Sequence, residues 1–527
     1  MDEADIVVIG AGSGGAAAAG RLAEDGRLTV AVIEAGGRNA GWRTTMPGAM
    51  PFQTTATNWQ YETVPQAGLN GRRGYQPRGR GLGGSSAINA MLYIRGAPWD
   101  YDNWAALGCD GWGWDDVLPV FRRAERNVRG ADAFHGADGP LWVSDQRFAH
   151  PGSQAFVDAG ASLQIPVNPD FNGASMEGLG LYQVTQKDGE RWTAARAYLT
   201  PRPNLATITD ATVERVLFED GRAWGVAYTR GGETRTIRAR GAVVLAGGVF
   251  ATPQLLMLSG IGPARHLIEH GVAVRIDRPA VGADLQDHID YVASFETDVG
   301  AFMGRSLKGS LAGLSAMWRW FRNRTGPMTT PFAEAGGFLS TLAGLPAPDV
   351  QFHFVIGMVE DHGRAQVKGH GYSCHVCVLR PESRGSVRLA NGDARTMPLI
   401  DPAFLSDRRD MDVMLRGVRA MYRILEAPPM RAFAGRDRYP IDLTDDIALE
   451  RLIRARGDTV YHPVGTARMG SDADAVCDPA LRVRGADGLY LADASIMPRL
   501  VSGNTNAPTI MIGERCADFV KADLSAR

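Results

Sequence analysis

Three glycines and one acid near the start of the chain have the types and spacing of a dinucleotide site. Gly10, Gly12 and Gly15 stand in Gly10-Ala11-Gly12-Ser13-Gly14-Gly15, a G-x-G-x-x-G pattern. Gly10 permits a tight turn, Gly12 lets backbone N–H groups approach a pyrophosphate, and Gly15 lets a helix pack on a strand. Glu34 lies 34 − 10 = 24 positions after the first glycine, where a carboxylate accepts hydrogen bonds from an adenosine ribose. The elements that must position these residues come in the right order. Ile6-Val7-Val8-Ile9 is a β-branched apolar run that reads as a buried parallel strand. Residues 16–23 form an alanine-rich helix whose N-terminus carries partial positive charge toward phosphates. Residues 29–33 form a second strand that ends at Glu34. The pattern leaves NAD and FAD both open.

A second segment, residues 78–91, holds four glycines and two serines, whose N–H and hydroxyl groups can receive an anion. Here the sequence resembles the glucose–methanol–choline (GMC) oxidoreductase family, whose members use FAD. Residues 80–95 and 247–262 look like the two family signatures, and Val281-Gly282-Ala283-Asp284-Leu285-Gln286-Asp287-His288 like a further block. So do His462-Pro463-Val464-Gly465-Thr466-Ala467-Arg468-Met469-Gly470 and residues 493–514, all in family order. The resemblance implies FAD rather than NAD. It places Gly10, Gly12, Ser13, Gly15, Glu34, Ala35, Trp59, Arg80, Gly83, Ser85, Asn89, Ala90, Met91, Val213, Gly247, Asp493, Ala494, Asn506, Pro508 and Thr509 at the cofactor. The backbone of Val213 would meet the adenine, and Asp493 the ribityl or pyrophosphate part. Some relatives attach FAD through a histidine just after the paired serines; Ala87 stands there, so the flavin is expected to be noncovalent.

Oxidising an alcohol calls for a base near flavin N5 that takes the hydroxyl proton as hydride leaves. Of ten histidines, His462 follows the strand-like Thr459-Val460-Tyr461 and precedes Pro463. In the family this histidine is the base or the group that orients the hydroxyl, with a second residue some forty positions on. Asn506 fits, since 506 − 462 = 44. An amide can hydrogen-bond the substrate oxygen but cannot act as a base, so His462 carries that role alone. Pro508 suits the first position of a helix over residues 509–520, whose positive N-terminal end would stabilise an anionic reduced flavin. Tyr461, Glu334 and Phe354 are candidate substrate contacts. The expected function is FAD-dependent oxidation of the CH–OH group of a small primary alcohol, aromatic, furanic or choline-like, with O₂ or another electron acceptor. A flavin lyase or photodecarboxylase on the same fold need not keep the His–Asn pair. A noncatalytic FAD-binding protein is the third reading.

Composition bounds these expectations. The 527 residues are 45% hydrophobic and 22% charged, with a formal net charge of −2. That length implies more than one domain, and the balanced charge gives no sign of nucleic-acid binding. Five cysteines make no disulfide framework. Cys374-x-x-Cys377 falls in a strand, where positions three apart face opposite sides, so no metal site is expected. The N-terminus has no basic start and apolar run of the secretory kind, and no stretch is long and apolar enough to span a membrane; a cytoplasmic location is expected. Residues 307–321, with Trp318, Trp320, Phe321, Arg319 and Arg322, read as a segment packed over a pocket or at a subunit contact, with an interfacial membrane helix as the alternative.

The expected fold class is α/β, with a Rossmann-like FAD-binding domain and an α+β substrate domain built on an antiparallel sheet. Cofactor motifs lie at both ends and in the middle of the chain. The first domain is therefore discontinuous, over residues 1–100, 186–290 and 455–527, and the substrate domain takes residues 101–185 and 291–454. Residues 349–356 and 372–379 read as strands of its sheet, and 407–425 as a helix.

Overall fold

The computed structural model describes residues 2–299, 302–365 and 367–526. The first sheet begins with β1 (Glu3–Ile9), β2 (Val30–Ile33), β3 (Leu205–Ile208), β4 (Ala211–Glu219), β5 (Arg222–Arg230) and β6 (Glu233–Leu245). A second sheet is built on β7 (Ile289–Glu296), β8 (Ala333–Leu339), β9 (Val350–Val355) and β10 (Gly369–Val378). Then β11 (Leu489–Leu491) returns to the first sheet. The helices that matter for the site are α1 (Ser13–Leu22), α2 (Gly248–Leu258), α3 (Leu307–Asn323), α4 (Arg408–Leu425) and α5 (Asn506–Ser525).

The first sheet runs β3-β2-β1-β6-β5-β4, with β11 also on β6. β3, β2, β1, β6 and β11 are mutually parallel, whereas β4, β5 and β6 form an antiparallel meander. Val7, Val8, Val243 and Val244 are fully buried between covering layers, which explains the unbroken apolar runs. The chain leaves β1 at Gly10 and β6 at Gly247, two neighbouring parallel strand ends. In open sheets of this kind ligands bind beyond the carboxyl ends of the strands.

The second sheet is antiparallel, in the order 436–437, β7, β10, β9, β8, 178–181. α4 packs against β10 and β9, and its Met411, Met414, Val418 and Met421 enter the same apolar cluster as Tyr291, Phe352, Phe354 and Cys374. The structure is mixed α/β. β7 begins at Ile289, and Asp458–Thr459 pairs with it, so both places join the second sheet although the sequence reading assigned them to the cofactor domain. Among the described residues no helix is long and apolar enough to cross a membrane.

Candidate active site

The cradle beyond β1 is built by contacts between the two glycine-rich segments. Gly10 has φ of +96°, and a Cβ there would lie 2.3 Å from the Ala246 carbonyl oxygen. A Cβ on Gly15 would lie 2.0 Å from the Gly10 oxygen. Packing therefore demands both. Gly12 differs: its φ is −73°, and a Cβ would meet only Gly84 Cα, at 4.0 Å. Among the described residues no atom requires glycine there, and the open space beside it suits a ligand. Gly83 N–H donates to the Ala11 carbonyl (2.8 Å), and Glu34 accepts N–H bonds from Ala11 (2.9 Å), Gly36 (3.0 Å) and Gly81 (2.9 Å). Glu34, with Ala35 in the same turn, thus clamps both glycine segments. Ser13 Oγ donates to Asn506 Oδ1 (2.7 Å), joining the first residues of α1 and α5. Two helix N-termini, each with partial positive charge, converge beside the open face of Gly12.

Residues around the cradle hold its walls. Asp493 accepts from Gly248 N–H (2.8 Å), Thr252 Oγ (2.6 Å) and Ser495 N–H (2.8 Å), pinning the end of β11 to the start of α2 beside Gly247. Ala494 follows and accepts from Gly465 N–H. Ser85 Oγ accepts from Gly79 N–H (3.1 Å). Asn89 Oδ1 accepts from Met91 N–H and from Arg191, and the Met91 carbonyl, one residue past Ala90, accepts from Thr185 N–H. The Arg80 guanidinium lies 5.0 Å from the Trp59 ring centroid. Val213 is on β4, at an irregularity in its pairing with β5. α5 starts at Asn506, so Pro508 and Thr509 lie inside its first turn rather than at and after its start. Pro508 costs no helical hydrogen bond there.

The segment around His462 is zipped to the segment around His288. Gln286 and Val464 exchange backbone hydrogen bonds, Val460 N–H donates to the His288 carbonyl, and His462 N–H donates to Asp287 (2.9 Å). The two imidazoles meet edge to face with Nδ1 atoms 3.0 Å apart. His288 Nε2 is 3.0 Å from the Leu379 carbonyl, which can only accept, so this nitrogen carries a proton. Burial pushes the His288 pKa down to about 3, leaving the ring neutral and Nδ1 an acceptor. His462 must then donate from Nδ1. Burial, followed by the neighbouring histidines and Arg78, holds His462 well below its ordinary pKa, so its Nε2 is an unprotonated lone pair. That lone pair receives the Asn504 amide N–H (3.1 Å), and Asn504 Oδ1 accepts from Gln351 (3.0 Å).

The residue against His462 is therefore Asn504, and Asn506 faces Ser13 on the cofactor side. Tyr461 adjoins His462 with φ of +75°, a conformation rare for an aromatic residue. Bonds from Arg78 to its carbonyl (3.0 Å) and from its N–H to Thr459 Oγ (2.7 Å) hold it there. Its hydroxyl is taken by His362 Nδ1 (2.7 Å).

Comparison with known proteins identifies the frame. GMC oxidoreductase models match residues 4–290 and 381–513. The chain belongs to the GMC oxidoreductase family. It is 43% identical to "Alcohol dehydrogenase [acceptor]" of Pseudomonas putida, over 99% of this chain and 97% of that protein. It is 39% identical to "Oxygen-dependent choline dehydrogenase" of Rhizobium etli, over 98% and 95% of the two chains. The crystal structure of pyridoxine 4-oxidase from Mesorbium loti superposes with a TM-score of 0.88 at 32% identity, covering 98% of each chain.

This GMC oxidoreductase is an FAD-dependent enzyme, and its residues fit that group: the open face of Gly12, the two helix N-termini and the Glu34 clamp form one cradle. Two expected substrate contacts need correction. Phe354 points to the other face of the second sheet, stacked on Phe156 (centroids 5.1 Å apart) in the core. Strand alternation puts its neighbours His353 and Gln351 on the opposite face, where His353 Nδ1 and Gln351 Oε1 are buried without a partner. Glu334 is fully buried at a break in the β8–β9 register. It accepts from His150 N–H (2.6 Å), Ser153 Oγ (2.7 Å) and Thr330 Oγ (2.7 Å), so it anchors the helix Pro151–Ser162. Sequence reasoning missed His288, Asn504, Gln351, His353 and Arg191. Arg191 is fully buried among the carbonyls of Ser86 and Asn89, and desolvation lowers its pKa to about 9.

Proposed function

We propose that this enzyme oxidises the CH–OH group of a small primary alcohol to the aldehyde, with His462 as the base. FAD supplies the hydride acceptor. His462 Nε2 takes the hydroxyl proton, because its other nitrogen is committed to His288. The Asn504 amide, which already points its N–H at Nε2, donates to the substrate oxygen and fixes the carbon's orientation. Asn504 is itself held by Gln351. The observation that carries this reading is the ordered series Leu379 carbonyl, His288, His462, which leaves one unprotonated nitrogen, facing Asn504. An aromatic or furanic alcohol bearing a further hydrogen-bonding group would satisfy His353 Nδ1, and one bearing a further donor would satisfy Gln351 Oε1. Glu334 gives no support to a cationic substrate, since its carboxylate is used elsewhere. Five buried free cysteines fit a reducing compartment, and we place the enzyme in the cytoplasm.

The test is an anaerobic panel of such alcohols, followed by reoxidation with O₂ and with an artificial acceptor. An alcohol of this class should bleach the bound flavin, and His462→Ala should slow bleaching by about 10²-fold or more. Wild-type bleaching by the variant would remove His462 from the role, and a flavin that no alcohol bleaches would remove the activity.

A further inference from the structure

Helix α3 turns an apolar stripe to solvent. Leu307, Leu311, Leu314, Trp318 and Phe321 recur at steps of four and three, which places them on one side of the helix. They are 82, 61, 65, 64 and 49% exposed. The opposite side holds the helix to the body: Trp320 is 1% exposed, donates from Nε1 to the Gly189 carbonyl (2.8 Å), and packs with Met46 and Ala49. The helix thus has an inner apolar contact and a second, outer apolar face about 20 Å long that none of the described residues covers.

The charge around this stripe is mostly positive: among the described residues the acids beside α3 are Asp188 and Glu190, and Glu190 is paired with Arg324 and Arg196. Residues 302–328 contain Arg305, Lys308, Arg319, Arg322 and Arg324 and no Asp or Glu, in a chain with 56 basic and 58 acidic residues. The segment packed beneath the helix continues the pattern, for residues 35–61 also lack acids and carry Arg38 and Arg43. That segment exposes Phe52, edge-on to Trp42 at 5.5 Å.

We propose that α3 docks this enzyme on an anionic phospholipid surface. The leucines, Trp318 and Phe321 enter the boundary between headgroups and acyl chains, and the arginines meet the lipid phosphates. Charge decides between lipid and a second copy of the chain. Two such faces brought together would oppose Arg305, Arg319 and Arg322 to one another with only Asp188 nearby as an uncommitted acid, since Glu190 is already paired with Arg324 and Arg196, whereas an anionic bilayer supplies both an apolar layer and the countercharge. The docked side is also the side of the loop beside Tyr461. Gly304–Arg305, just before α3, pairs with Gly369–His370 of β10, Met303 bridges to Gly357, and the loop between carries His362.

The experiment is flotation of the flavin-loaded full chain with vesicles of phosphatidylcholine alone, or with about one-third phosphatidylglycerol. It is read at low salt and at about 0.5 M salt, where exposed charges are screened within a few ångströms. Binding should require the anionic lipid and fall at high salt. It should drop at least about tenfold in Leu311→Asp/Leu314→Asp and in Arg319→Glu/Arg322→Glu, with flavin content and alcohol turnover unchanged. Equal binding by either variant, or no binding by the wild type, would overturn the proposal. So would a wild-type dimer, seen by light scattering, that Leu311→Asp/Leu314→Asp splits.

Discussion

Replacing His288 tests whether one buried imidazole sets the proton on another. The His288 ring is neutral because burial pushes its pKa down to about 3, and its Nε2–H is held by the Leu379 carbonyl at 3.0 Å. In His288→Leu the His462 Nδ1–H loses its acceptor. A buried polar group left without a partner costs about 1–3 kcal/mol. That is the penalty on keeping the proton at Nδ1, and it favours moving the proton to Nε2, the nitrogen proposed as base, with the Asn504 amide turning its oxygen to accept it. At about 1.4 kcal/mol per decade, the competent tautomer and the rate of flavin bleaching both fall by about fivefold to about 150-fold. His288→Asn keeps an amide N–H for Leu379 and an amide oxygen for His462, so it should recover most of the loss. The assay is anaerobic stopped-flow reduction by a saturating alcohol, with flavin content and melting temperature measured on each variant. A leucine variant that binds flavin and reduces at the wild-type rate would refute the tautomer argument. So would an asparagine variant as slow as the leucine one.

His462 is held well below its ordinary pKa by burial, so it stays neutral as pH falls through the usual histidine range; the acid limb of kcat/KM should lie below about 6.5, and a limb above 7 would contradict the assignment. Gly12→Ala should fold with a near wild-type melting temperature yet purify with little flavin, since only the ligand's space is filled; Gly10→Ala, with φ of +96° and a 2.3 Å clash, should fail to reach a stable fold. His353→Ala should raise KM for the alcohol while leaving stability nearly unchanged, because it removes a buried nitrogen that has no protein partner. Phe354→Ala, one residue on, should instead cost about 3–5 kcal/mol in denaturant unfolding and leave KM unchanged.

Much of the frame was legible because it rests on local patterns. The strand expected over residues 349–356 is Val350–Val355, and the helix expected over 407–425 is Arg408–Leu425. The site was less legible because it depends on one-residue choices. Strand alternation divides residues 351–354 into two faces, but which face is the core depends on α4 packing beneath it. Glu334 sits where the β8–β9 register shifts, and no sequence pattern announces such a break. Asn504 and Asn506 are two apart in Gly503-Asn504-Thr505-Asn506; where α5 begins decides which one turns to α1 and which to His462. The role of His288 is invisible in sequence, since its partner lies 174 positions away.

The placement of His462 follows from where it lies along the chain. Four residues earlier, Asp458–Thr459 is a strand of the second sheet, paired with β7. A few residues later, Gly465, Ala467 and Met469 donate N–H bonds to Ala494, Ser495 and Ile496, which follow β11 of the first sheet. His462 thus occupies the short crossing between the two sheets. One sheet carries the cofactor cradle at its carboxyl ends, and the other presents Gln351 and His353. The residue proposed as base, placed on either sheet alone, would answer to one ligand only. At the crossing it is fixed relative to both, and the left-handed Tyr461 beside it is the bend that lets the chain make the passage.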